Sequence, residues 1–184
     1  SARSEVKSND DKDHFNSCVL NLSILTNDAA LQNEALKGML ESGFVPASQQ
    51  GQFNTIVANN ELSAKNYDSA LAYAQKAEAL GYKPDQVAPI LAQAIWGNAK
   101  GNPAEVARGL DMFKKGIDAM KAAATPVPSQ WYQVAVQKAS EANLPQIRDW
   151  AAMAFDADAS GENLRTILRV LQRDNPTMTN RENL

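Results

Sequence analysis

The chain has 184 residues, of which 44% are hydrophobic and 21% charged, with a net charge of −3. These proportions exclude a disordered or collagen-like polymer. The mild acidity argues against a nucleic-acid-seeking surface or a general pull toward anionic lipid.

Aromatic residues are only 7% of the chain. A length of about one domain must therefore be packed largely through small side chains. No run reaches the ~18 apolar residues of a membrane span, so no membrane insertion is expected. No charged segment followed by an apolar one opens the chain as a signal peptide would. The first residue is Ser1 rather than methionine. That fits either a mature exported bacterial protein, toward which the Asn, Gln and Ala richness leans, or a piece of a cytoplasmic one.

Residues 1–12 are polar and are expected to be frayed. Residues 13–176 then follow a helical pattern. Phe15, Cys18, Val19, Leu22 and Leu25 recur at steps of three and four, the helical period. Asn27 or Asp28 caps a second helix bearing Leu31, Ala35, Leu36, Met39 and Leu40, which Gly43-Phe44-Val45-Pro46 breaks. A third helix is predicted over about 47–64. A fourth follows the turn Asn66-Tyr67-Asp68 and is broken by Gly81-Tyr82-Lys83-Pro84. A fifth spans about 85–100, and Pro89 fits its first turn if the helix starts late. Asn102 and Pro103 are a cap and first-turn pair for a sixth helix, which Pro126 and Pro128 end. The seventh runs over about 129–142. Asn143-Leu144-Pro145 turns into the eighth, and Ser160-Gly161 leads into a ninth carrying Leu164, Ile167, Leu168 and Leu171. Thr179-Asn180-Arg181-Glu182 has the form of a capping box, so 177–184 reads as the start of a further helix. No alternating strand is visible, and the expected class is all-α.

The punctuation repeats. The two Gly-aromatic-x-Pro breaks lie 38 residues apart. Ala35, Ala74 and Phe113 follow one another at 39, as do Gly38, Ala77 and Gly116, with Ala151 and Ala154 next at 38. Two helices per unit at this period read as an α-solenoid. The segment Asn66-Tyr67-Asp68-Ser69-Ala70-Leu71-Ala72-Tyr73-Ala74-Gln75-Lys76-Ala77 resembles the second-helix signature of the tetratricopeptide repeat. Trp96-Gly97 and Trp131 with Val134-Ala135 are similar to its first-helix signature. The resemblance covers about 47–158, with a stride longer than the family's usual 34. It implies about four antiparallel helix pairs plus a ninth helix, and a concave groove lined by the first helix of each pair that holds a peptide.

The chemistry-bearing residues are few. His14 and Cys18 share a helix face near Asp10, Asp11 and Asp13, but structural zinc asks for four ligands and no second pair exists. Asp156-Ala157-Asp158-Ala159-Ser160-Gly161 resembles half of a calcium loop, but Ile167 stands where its bidentate glutamate belongs. No metal, cofactor or catalytic residue is expected, because no nucleotide-binding, zinc-protease or nucleophile-elbow motif occurs.

Arg165, Arg169 and Arg173 form a basic stripe on the ninth helix, read as a solvated face or as a secondary site for an anionic partner. The third helix carries no Lys or Arg and the fifth none before Lys100 at its end, which disfavours a clamp for a terminal carboxylate. The groove implied by the resemblance would be neutral, lined by Asn59, Asn60, Gln93, Trp96, Asn98, Gln133 and Gln137. Amides both donate and accept, so they suit a peptide backbone. The function expected is a non-enzymatic module that binds a protein or peptide. The alternative is a structural spacer or homo-oligomerisation segment of a longer helical-repeat protein.

Overall fold

The computed structural model describes residues 8–174. The chain divides into two compact units, one ending at Asn98 and one beginning at Ala99. The described residues form nine α-helices and no strand. In the first unit these are α1 (Asn9–Thr26), α2 (Ala29–Ser42), α3 (Ala47–Ser63), α4 (Tyr67–Ala79) and α5 (Pro84–Asn98). In the second they are α6 (Pro103–Ala122), α7 (Ser129–Glu141), α8 (Ile147–Ala157) and α9 (Gly161–Asp174).

Local chemistry sets most boundaries. Asp28 caps α2 by accepting from the Leu31 amide at 2.9 Å. Asn102 caps α6 by accepting from the Ala104 amide at 3.0 Å, with Pro103 in the first turn, where its missing N–H costs nothing. The polar start is helical sooner than its composition suggested. Ser8 and Asp11 exchange backbone and side-chain bonds at 3.0 Å as a capping box, so α1 begins at Asn9. Pro89 also departs from expectation. With α5 starting at Pro84, Pro89 lies inside the helix, buried, and gives up one intrahelical bond. The Thr179–Glu182 capping box lies outside the described residues.

One turn recurs. After α1, the Asp28 amide donates to Ser23 O at 2.9 Å and the Asn27 amide to Ile24 O at 3.3 Å, with Asn27 at φ 53. This is the paired-bond, left-handed helix stop. The same two bonds close α3 at Lys65, α4 at Gly81, α6 at Ala124 and α7 at Asn143. Asn27 and Lys65 stand 38 apart, as do Gly43 and Gly81.

Successive helices pack within each unit. α2 contacts α1 and α3, and α3 contacts both α4 and α5, which also pack together. In the second unit α6 packs on α7, α7 on α8 and α8 on α9. The strided positions Ala35, Ala74, Phe113, Ala77, Ala151 and Ala154 are all buried, as is Gly116. At three helical glycines the space is filled by a side chain rather than by a neighbouring backbone. Asn16 lies over Gly38, Tyr82 over Gly51 and Tyr67 over Gly97; a Cβ on Gly51 would stand 2.7 Å from Tyr82 Cβ. Phe44, the partner of Tyr82 in the Gly-aromatic-x-Pro repeat, stays 53% exposed. The residue 38 before Gly51 is Asp13, which offers no such hollow and instead accepts from Ser42 Oγ at 3.1 Å.

The stripes of the two outer helices do not become the packing faces. Of the α1 stripe, Phe15 and Val19 are half-buried, Cys18 is exposed, and Leu22 and Leu25 are 51% and 84% exposed. The one buried residue of α1 is Ser23. At 3.6 residues per turn, Ser23 lies about a third of a turn from the stripe. In α9 the buried residues are Asn163 and Val170, whereas Leu164 is 38% exposed and Leu168 and Leu171 are half-buried.

Ala124 holds φ 52 with a Cβ that disfavours it. Ala124→Gly is expected to stabilise the chain by about 0.5–1 kcal/mol after the entropic cost of glycine, raising the thermal midpoint by about 2 °C in calorimetry.

Candidate functional site

In the second unit, α7, α8 and α9 enclose a cleft of about 320 Å³. Its floor is apolar, with Val136 from α7, Ile147 and Ala154 from α8, and Val170 from α9, all buried. Residues one turn apart on α7 place Gln133, Gln137 and Glu141 along one rim with Ser140. Glu162, Asn163, Thr166 and Arg169 supply the other from α9.

Asn163 fixes the angle between α8 and α9. It is buried, and its Nδ2 donates to Asp158 O at 2.7 Å, pairing that carbonyl beyond the end of α8, and to Ala154 O at 3.2 Å, which also accepts from the Asp158 amide at 3.1 Å. Its own amide donates to Ser160 Oγ at 3.3 Å, which starts α9. The calcium-loop-like segment is thus a helix-to-helix turn. On the opposite rim, Glu141 accepts from Gln137 Nε2 at 2.7 Å and Lys138 Nζ at 3.2 Å. These bonds, Gln137 first, hold its carboxyl below the ordinary carboxylate value against a smaller opposing effect of burial. Gln133 and Arg169 have no hydrogen bond or ion pair among the described residues, so both bring unspent polar groups to the cleft.

Gln133 and Gln137, two of the residues expected to line a groove, stand on one rim of this cleft, and Arg169 of the basic stripe stands on the other. Arg165 is exposed on α9. Arg173 borders a separate hollow with Arg148, Asn143 and Pro145. In the first unit, Asn59 and Gln93 are exposed and Trp96 is half-buried. Asn98 donates to Asp68 Oδ1 at 2.8 Å. Asn60 is half-buried, with an Nδ2 that has no partner. Trp131, half-buried, stacks on Phe113 at 5.0 Å between ring centres, and Trp150, 6.5 Å from the same ring, is buried in the core.

No family model matches the chain, and no curated protein or solved structure matches it.

A second polar centre, in the first unit, was not foreseen. Glu61, near the end of α3, is buried. Its carboxylate accepts from Lys37 Nζ at 2.7 Å, from Asn66 Nδ2 at 3.1 Å, and from Asn33 Nδ2. Burial is the largest single influence on Glu61 and would raise its pKa. The donors Lys37, Ser69, Asn33 and Asn66 together outweigh it and hold the carboxyl below its ordinary 4.5. Lys37 also stands 5.7 Å over the Tyr73 ring, and Lys76 4.7 Å. Burial raises the Tyr73 pKa, opposed by Lys37 and assisted by Glu41 and Glu61. The cluster ties α2, α3 and α4 together across 24–28 residues of sequence.

Little local in the sequence marks Glu61: Asn33 and Lys37 come from α2 and Ser69 from α4, and only Asn66, in the following turn, is near in sequence. Asn163 does have a local signal, since it follows the turn Asp158–Gly161, where a side-chain cap is commonplace.

Two outcomes test these ties. The Glu61 pKa is lower in the folded than in the unfolded chain, so its stabilisation is complete above the ordinary 4.5 and is lost as pH falls through the lower folded value. Urea midpoints should drop in that acid range, and Glu61→Gln should lower stability at neutral pH by about 3 kcal/mol while flattening the acid drop. Asn163→Ala should cost about 1–3 kcal/mol by leaving the Asp158 carbonyl unpaired and freeing α9 from the end of α8, with amide exchange accelerating in α9 before α6.

Proposed function

We propose that this chain is a non-enzymatic interaction module of helical-repeat, tetratricopeptide-like type, which holds a short peptide segment of a protein partner in the α7–α8–α9 cleft. One observation carries the reading: Gln133 and Arg169 face the cleft with unspent donors and acceptors above an apolar floor. A polar rim over an apolar floor is the usual composition of a ligand cleft, and the volume of about 320 Å³ admits one or two side chains with their backbone. An amide can pair with peptide N–H and C=O alike, while the guanidinium fork suits a carbonyl or carboxylate.

The burial of the strided small residues and the 38-residue recurrence of the turns support the repeat reading. The non-enzymatic part rests on the sequence, in which no nucleotide-binding, zinc-protease or nucleophile-elbow motif occurs. A second reading, a spacer or oligomerisation segment, is favoured by the apolar surface that α1 leaves in solvent.

A displayed random-peptide library selected on the intact chain tests the first reading. Selected peptides should lose about ten-fold in affinity with Arg169→Ala, and several-fold with Gln133→Ala, in fluorescence anisotropy. Asn59→Ala and Gln93→Ala, outside the cleft, should leave affinity unchanged. Failure to select any binder, or equal affinity for the Arg169→Ala variant, would count against the cleft.

A further inference from the structure

The α9 wall of the cleft carries both signs of charge. Glu162, Thr166 and Arg169 stand on it in that order. Seven residues make two helical turns to within about 20°, so Glu162 and Arg169 share one face, about 10.5 Å apart along the axis. Thr166 lies between them and is spent on its own helix, its Oγ1 donating to Glu162 O at 3.1 Å. Both charged residues are exposed, and neither the Glu162 carboxylate nor the Arg169 guanidinium has a hydrogen bond or ion pair among the described residues. Arg165, three residues after Glu162, lies off this face and outside the lining.

The third charge of the lining is already matched. Glu141, on the α7 rim, accepts from Gln137 Nε2 at 2.7 Å and from Lys138 Nζ at 3.2 Å. What α7 offers a guest is neutral: Gln133, and the Oε1 of Gln137, whose Nε2 is taken. The walls also stand apart. α7 and α9 do not pack on each other, whereas α3 and α5, the helices before and after α4 in the first unit, do. The apolar floor of Val136, Ile147, Ala154 and Val170 lies between them.

We propose that the cleft selects an extended peptide segment of a partner that carries opposite charges: a cationic side chain for Glu162, an anionic one for Arg169, and an apolar side chain between them for the floor. The inference rests on the peptide reading of the cleft and names which peptides it takes. Spacing follows from the wall. An extended chain rises about 3.3 Å per residue, so the two charges lie about three residues apart. Segments of one sign are rejected, since a doubly acidic one sets its second carboxylate against Glu162 and a doubly basic one sets a cation against Arg169. Either chain direction satisfies the wall; the pairing of signs is what it demands.

The test is selection of a displayed random-heptapeptide library on the intact chain and on two charge-reversed variants, Glu162→Lys and Arg169→Glu, each first checked for an unchanged helical circular dichroism spectrum. The intact chain should enrich peptides with one basic and one acidic residue about three apart. Glu162→Lys should enrich doubly acidic peptides, and Arg169→Glu doubly basic ones. A double-mutant cycle in fluorescence anisotropy adds a measurement that reversal does not enter. Replacing the cation of a selected peptide by glutamine should weaken binding to the intact chain about two- to five-fold, as for an exposed ion pair, and should have no effect on Glu162→Gln. High salt should shrink the same difference.

The proposal is overturned if peptides selected on the intact chain carry no opposite-charge pair, as they would if Arg169 alone held an acidic residue. It is equally overturned if the reversed variants enrich the same signs as the intact chain, or if the cycle shows no coupling to Glu162. Binders that depend on Arg169 and Gln133 but lack the charge pair would leave the peptide reading standing and remove only this inference. Selection of no binder at all removes both.

Discussion

Alanine governs how this chain can fold. It recurs in the buried core of both units, from Ala35, Ala58, Ala70, Ala74 and Ala77 to Ala135, Ala139, Ala151 and Ala154. A buried alanine removes little apolar area from water, so each contact contributes less than a leucine would. Helices must then approach closely, and any larger group needs a prepared hollow. The rings of Tyr67 and Tyr82 lie where Gly97 and Gly51 have no Cβ. Where Asp13 replaces the glycine, Phe44 remains in solvent. With apolar burial spread thinly, specific polar ties gain weight. Glu61 with its donors and Asn163 with its two carbonyls each join helices that small side chains alone would leave free to slide.

Helix existence and helix ends were legible because their causes are local. Asp28 and Asn102 accept from amides a few residues away, and Gly43 and Gly81 adopt the left-handed stop that a glycine permits. Even the departures are local in origin or nearly so: Ser8 and Asp11 extend α1 by a reciprocal cap, and Pro89 is carried inside α5 by the burial of the whole run from Val87 to Ala92. The facing of α1 and α9 was not legible. Periodicity locates an apolar stripe, but the side that packs is decided by a neighbour's shape, and here those neighbours accept Ser23 and Asn163 in place of leucines. Glu61 was hidden for the same reason. An acidic residue in a helical pattern reads as solvated until three other segments converge on it.

The candidate surface was partly legible. Gln133 and Gln137 are one turn apart on α7 and had to share a face, wherever that face pointed. That α9 would close over it and bring Arg169 to the opposite rim depended on Asn163 setting the helix angle, which spacing does not encode. The lining of this cleft is mixed, with Glu141 bonded to Gln137 and Lys138 on one rim and both Glu162 and Arg169 on the other.

That mixed lining follows from one helix serving two purposes. α9 turns Asn163, Thr166 and Arg169 toward the cleft and Leu164, Leu168 and Leu171 away from the buried side. A helix whose most apolar stripe packed inward would have had to rotate by about a quarter-turn, carrying Arg169 off the rim and Asn163 away from the carbonyls of α8. The polar clasp of Asn163 and the inward burial of the leucines are thus mutually exclusive settings of the same helix. The clasp wins inside the unit because a buried amide stripped of both its acceptors, together with an unpaired Asp158 carbonyl, costs more than leaving three leucines half in water.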